Sequence, residues 1–227
     1  MDYSLDTEHD ILITDNAVSL SGFLYLPHDP LGLILFVHGS GSSRFSSRNH
    51  FVAQGLNKSR LATLLFDLLM PQEEAIDLHT REFRFNIQLL AQRLIIATNW
   101  CLNNFNLPMG YFGASTGAAA ALIASTQSEQ IKAVVSRGGR PDLANEFLPR
   151  VKAPTLLIVG GNDTLVISLN EEALSKMKCI KQLEIVPEAT HLFEEADTLN
   201  QAALFAKNWF VRHLTSESSQ TLYKEKT

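Results

Sequence analysis

The pentapeptide Gly113-Ala114-Ser115-Thr116-Gly117 restricts what this chain can fold into more than any other feature. Met109-Gly110-Tyr111-Phe112 ahead of it reads as a buried strand, and Ala118-Ala119-Ala120-Ala121-Leu122-Ile123 behind it as a buried helix. A strand turning directly into a helix holds the corner residue in a strained backbone conformation, with its side chain raised above the sheet. Glycines two positions either side of Ser115 have a steric reason, because strand and helix cross too closely there for larger side chains. The pattern alone is common by chance, so its weight comes from its company.

Three further stations follow the same logic. Leu33-Ile34-Leu35-Phe36-Val37 is an apolar, β-branched run ending in His38-Gly39-Ser40-Gly41-Ser42, a glycine-rich bend that can aim backbone N–H groups at a developing oxyanion. Pro154-Thr155-Leu156-Leu157-Ile158-Val159 is a second such run, ending in Gly160-Gly161-Asn162-Asp163. Leu183-Glu184-Ile185-Val186-Pro187 leads into Glu188-Ala189-Thr190-His191. Serine, then acid, then histidine, each just past a strand, is the chain order of the α/β-hydrolase triad.

Strand and helix patterns alternate along the chain. Ile11-Leu12-Ile13 and Val18 to Leu26 read as an antiparallel hairpin turning at Asp15-Asn16, and Asn49 to Leu56 reads as a helix. A strand at Ala62 to Phe66 ends at Asp67 and is followed by a loop holding Pro71. From about Phe83 to Asn103, apolar residues recur at helical spacing: Ile87, Leu90, Leu94, Ala97 and Cys101. A strand at Ile131 to Val135, a short helix at Asp142 to Phe147, a helix near Glu171 to Met177 and a last helix from about Asp197 to His213 complete the series. The implied fold is α/β, a mainly parallel central sheet with helices on both faces. Fewer than 20 residues separate the strand ending at Val135 from the one beginning near Pro154, which leaves no room for a sizeable cap over the site. Residues 1–214 are expected to form one domain and 215–227 a polar tail.

The formal charge of −5 and the lack of a basic cluster argue against a nucleic-acid surface. No apolar run approaches the roughly 18 residues that cross a bilayer. Cys101 and Cys179 stand far apart without ligand spacing, so a reducing, cytoplasmic compartment and a site without metal are the expectation. An exposed edge strand offers a route to a homodimer.

Gly-Ala-Ser-Thr-Gly-Ala at 113–118, Ser-Arg-Gly-Gly-Arg-Pro-Asp at 136–142 and Ala-Thr-His-Leu-Phe-Glu at 189–194 give the chain a resemblance to small, capless hydrolases of the dienelactone-hydrolase-like family. They are similar in particular to members sometimes fused to phosphoribosyltransferase domains. The resemblance runs from about residue 5 to 213 and implies serine-dependent hydrolysis of a small-molecule acyl substrate, an ester, thioester or lactone, without a cofactor. One departure matters: dienelactone hydrolases proper use a cysteine nucleophile, and the elbow here holds Ser115. An acyltransferase or a silent binding protein on the same scaffold are the alternatives.

Each candidate has a chemical role and a rival. A serine hydroxyl needs a base to take its proton, and His191 is the candidate because an imidazole can accept a proton and return it. Asp163 would hold the useful tautomer, its rival role being that of a turn residue, while Asp142 reads as a helix N-cap. The backbone N–H groups of Thr116 and Ser40 are the expected oxyanion donors. His38 is read as a prop for the oxyanion loop rather than a proton carrier. Arg137 and Arg140, past a strand on the edge where open α/β sheets bind ligands, are candidates for gripping a substrate carboxylate or phosphate. Their default reading is a structural pairing with Asp142, Glu146 or another carboxylate. Arg44 and Arg48 invite the same question, and Glu73-Glu74 with Asp77 read as a solvated loop.

Overall fold

A computed structural model of the protein describes residues 3–215. From residue 216 onward the expected polar tail lies outside the described residues. The apolar runs become eight strands: β1 (Glu8–Asp15), β2 (Val18–Tyr25), β3 (Gly32–Val37), β4 (Leu61–Phe66), β5 (Met109–Ala114), β6 (Ile131–Arg137), β7 (Thr155–Gly160) and β8 (Lys181–Val186). They pair in the order β1-β2-β4-β3-β5-β6-β7-β8. The expected hairpin is present, and Asn16 at its turn has φ +50°. β2 runs antiparallel to β4, and every pair from there to β8 is parallel.

Among the described residues six helices, α1 (Ser47–Asn57), α2 (Pro71–Thr80), α3 (Ile87–Asn104), α4 (Thr116–Ser125), α5 (Thr164–Lys176) and α6 (Thr198–Leu214), cover the sheet. The central strands are buried on both faces, and their period of two divides the core. Leu33, Leu35, Val37 and Tyr111 pack with α3 and α4 through Leu90, Leu94 and Ala120. Ile34, Phe36 and Phe112 pack with α1 and α6 through Val52, Leu56, Ala206 and Phe210. Every residue of α4 is buried, so small alanines suit a helix pressed against its neighbours on all sides. Between β6 and β7 the chain forms only a 3₁₀ segment, Pro141–Arg150, broken at Asn145 (φ +41°). Among the described residues no sizeable cap covers the strand ends.

Two expectations around α2 need correction. Pro71 opens α2 instead of sitting in a loop: its fixed φ and missing N–H suit a first helical position, and Glu73 accepts from the Met70 N–H at 2.8 Å. Asp77 is likewise not solvated. It is 2% exposed and accepts from the backbone N–H groups of Phe83 and Arg84 and from Arg84 Nε, fixing α2 to the turn before α3. Burial pushes its carboxyl up, but the bonds and charge from Arg84 and Phe83 outweigh this, and the net shift is downward.

Candidate active site

Ser115 stands where β5 becomes α4, at φ +50° and ψ −125°, a conformation that costs a non-glycine residue on the order of 1–3 kcal/mol. Surrounding contacts impose it. Ser115 N–H reaches Arg137 O on β6 at 3.4 Å, and Ser115 O accepts from Ala118 N–H (3.1 Å) and Arg140 N–H (3.0 Å). The flanking glycines answer to close approach. A Cβ on Gly113 would lie 2.5 Å from Ala118 Cα, and one on Gly117 would lie 2.2 Å from the Val37 carbonyl oxygen.

The loop after β3 passes directly over the elbow, since a Cβ on Gly39 would sit 2.9 Å from Ser115 Cβ. His38 anchors that loop. Its Nε2 accepts from Leu68 N–H at 3.1 Å, which assigns the proton to Nδ1, 3.0 Å from Gly39 O. Burial lowers the His38 pKa, so the neutral ring is the form that fits. Of the two expected oxyanion donors, the Ser40 N–H is already engaged, donating to Thr116 Oγ1 at 2.9 Å. Thr116 opens α4, where backbone N–H groups and the helix dipole favour negative charge.

His191 and Asp163 come from the ends of β8 and β7, and His191 Nδ1 bonds Asp163 Oδ2 at 2.7 Å. With Nδ1 as donor, Nε2 carries the free lone pair. Ser115 and His191 line one cavity of about 260 Å³, shared with Gly39, Ser40, Arg48 and Arg137. The separate stations of the sequence therefore converge on one place.

The arginines part company. Arg140 forms a two-pronged ion pair with Asp142, 2.9 and 2.8 Å, which meets the default reading and takes Asp142 out of competition with Asp163. Arg44 pairs with Asp67 and lies over the Phe45 ring. Arg137 pairs with no carboxylate among the described residues. It is 7% exposed, bonds only the Asn49 Oδ1 (3.4 Å) through Nη2, and faces the Phe193 ring at 5.7 Å. Its Nε is buried without a partner. Burial, then the nearby Arg48 charge, lowers its pKa to about 10. Asn49, also on the cavity wall, escaped the sequence reading because a polar residue in a helix carries no signal of what it faces.

Comparison with known proteins agrees with this architecture. Residues 87–212 match the dienelactone hydrolase family. The structure of a dienelactone hydrolase from Anabaena variabilis is 52% identical, with 91% of this chain and 98% of that chain covered and a TM-score of 0.89. Two Mycobacterium tuberculosis proteins, named as candidate phosphoribosyl transferases, are 50% identical over 211 residues. That match covers 91% of this chain and 47% of theirs, so the chain spans about half the length of these curated relatives. Est1E from Butyrivibrio proteoclasticus shares the fold at 14% identity, with a TM-score of 0.75 and 90% and 98% of the two chains covered. Among the described residues, no helix is long and apolar enough to cross a membrane.

Proposed function

Because this chain belongs to the dienelactone hydrolase family, we propose that it is a serine hydrolase cleaving small carboxylic esters through an acyl-enzyme on Ser115. One observation carries the reading. A strained, cavity-facing Ser115 shares its pocket with His191, whose other ring nitrogen is held by Asp163. In this mechanism His191 Nε2 takes the Ser115 proton as Oγ attacks the ester carbonyl carbon. Asp163 keeps the proton on Nδ1 and stabilises the imidazolium. The oxyanion is received by the Thr116 N–H and by the Ser40 N–H, for which it competes with the Thr116 hydroxyl. His191 returns the proton to the departing alkoxide, and the alcohol leaves. Water, activated by His191, then attacks the acyl-enzyme, releasing the acid and restoring Ser115. Every proton is carried by His191, so the steps balance without a cofactor.

The open site supports hydrolysis over acyl transfer, since among the described residues no large cap shields an acyl-enzyme from water. Steady-state hydrolysis of short-chain p-nitrophenyl esters tests the assignment. Ser115→Ala and His191→Gln should each lose about 10³-fold or more in kcat, and Asp163→Asn about 10⁴-fold by forcing the wrong tautomer. Full activity in Ser115→Ala would overturn it.

A further inference from the structure

Arg137 lines the cavity, and the hydrolytic scheme leaves its guanidinium unused. The end of β6 fixes its backbone, with Arg137 opposite Ala114 in register and its carbonyl oxygen facing the Ser115 N–H. The guanidinium is more than nine-tenths buried, and burying a cation is expensive unless an anion balances it. Nothing in the described residues does. The four other arginines close to or flanking the site in sequence all have a carboxylate: Arg44 has Asp67, Arg84 has Asp77, Arg140 has Asp142 and Arg48 has Glu194. Arg137 instead faces a neutral amide and an aromatic ring, and leaves Nε without a partner. Arg48, whose carboxylate partner is largely exposed, adds a second positive charge to the same cavity wall.

We propose that Arg137 is the specificity residue for a substrate that carries an anionic group on its acyl part, a carboxylate or a phosphate-type oxyanion, with Arg48 reinforcing the field. A guanidinium presents paired N–H donors that fit two oxygens of such a group, and the anion supplies the missing countercharge. Ser115 and His191 share the cavity with both arginines, so an anion seated there holds the scissile carbonyl near the nucleophile. Binding in this position rests on the hydrolase reading only in taking Ser115 as the reacting centre.

Three p-nitrophenyl esters with the same leaving group separate the possibilities: the butyrate, the glutarate half-ester and the 3-phosphonopropionate. The wild-type enzyme should favour one or both anionic esters over the butyrate by about 10-fold or more in kcat/KM. Arg137→Met, which keeps an unbranched apolar stem, should lose about 10- to 100-fold on the favoured anionic ester and under about 3-fold on the butyrate. Whichever anionic ester is preferred identifies the carboxylate or the phosphate-type source. An equal fall on all three esters, or no anionic preference in the wild type, overturns the proposal. Calorimetric titration of glutarate and of inorganic phosphate into Ser115→Ala, with and without Arg137→Met, provides a reading independent of turnover. Binding that disappears with Arg137 supports the anion site even if no ester is cleaved, in which case only the hydrolase reading fails. If Arg137→Met does not fold, Arg137→Lys serves in its place. It keeps the charge but not the fork, and should retain part of the anionic preference; full retention would refute fork recognition.

Discussion

The elbow depends on a backbone contact that a single methyl group should break. In Gly117→Ala the new Cβ would lie 2.2 Å from Val37 O and 2.5 Å from His38 O, where ordinary contacts begin near 3.4 Å. Either α4 or the end of β3 must therefore retreat by about 1 Å. Neither can do so freely, because both are buried throughout. Overpacking of this kind costs about 3 kcal/mol at the upper end of the usual range. Alanine in a helix returns about 1 kcal/mol, leaving a net loss of about 2 kcal/mol. Gly55 in α1 is the matched control. A Cβ there meets nothing within 4 Å, so Gly55→Ala should gain about 0.5–1 kcal/mol. Urea denaturation should move the two midpoints in opposite directions from wild type. Because the displaced atoms lead into the His38–Ser40 loop over Ser115, ester turnover in Gly117→Ala should also fall by about 10²-fold. A Gly117→Ala midpoint equal to wild type would refute the close-approach argument.

Other expectations follow from single contacts. Asp77→Ala removes a buried carboxylate that satisfies three donors and should lower unfolding free energy by about 3–5 kcal/mol, whereas a change under about 1 kcal/mol would show the α2 anchor to be dispensable. Thr116→Val leaves the Ser40 N–H without its acceptor and should cost about 1 kcal/mol in stability with kcat within a few-fold, because both backbone donors remain; a kcat fall of 10²-fold would instead make the hydroxyl itself part of the chemistry. Burial lowers the pKa of His38, and of His213 with help from Arg212, so the unfolded chain binds more protons than the native one below about pH 6.5. Stability present at pH 7.5 should therefore decline on acidification to pH 5.5, and equal urea midpoints at the two values would contradict the neutral, loop-holding ring.

How far the fold was legible depended on how local its causes are. The central strands are short apolar runs that end in glycine-rich or acidic bends, and the elbow sits between two of them, so the strand series and the convergence of Ser115, Asp163 and His191 on the sheet's carboxyl edge follow from pattern alone. α2 is hidden in the loop expected around Pro71, although proline with Glu73 and Glu74 behind it is also a helix-start signal. α5 begins at Thr164, earlier than expected, because its first turns carry the β-branched Val166 and Ile167, which read poorly as helix. Arg140 found its partner two residues away, within reach of sequence reasoning. Arg137 did not, because its surroundings are assembled from α1 and from the loop after β8, with Asn49 88 positions distant. The engagement of the Ser40 N–H by Thr116 was equally hidden, being a contact across 76 positions.

Labelling by a fluorophosphonate probe, read by intact mass and peptide mapping, tests the activated serine most directly. One adduct on the wild-type protein, mapped to Ser115 and absent from folded Ser115→Ala, is the predicted result. An unlabelled, well-folded wild-type protein, or an adduct that persists in Ser115→Ala, would contradict it.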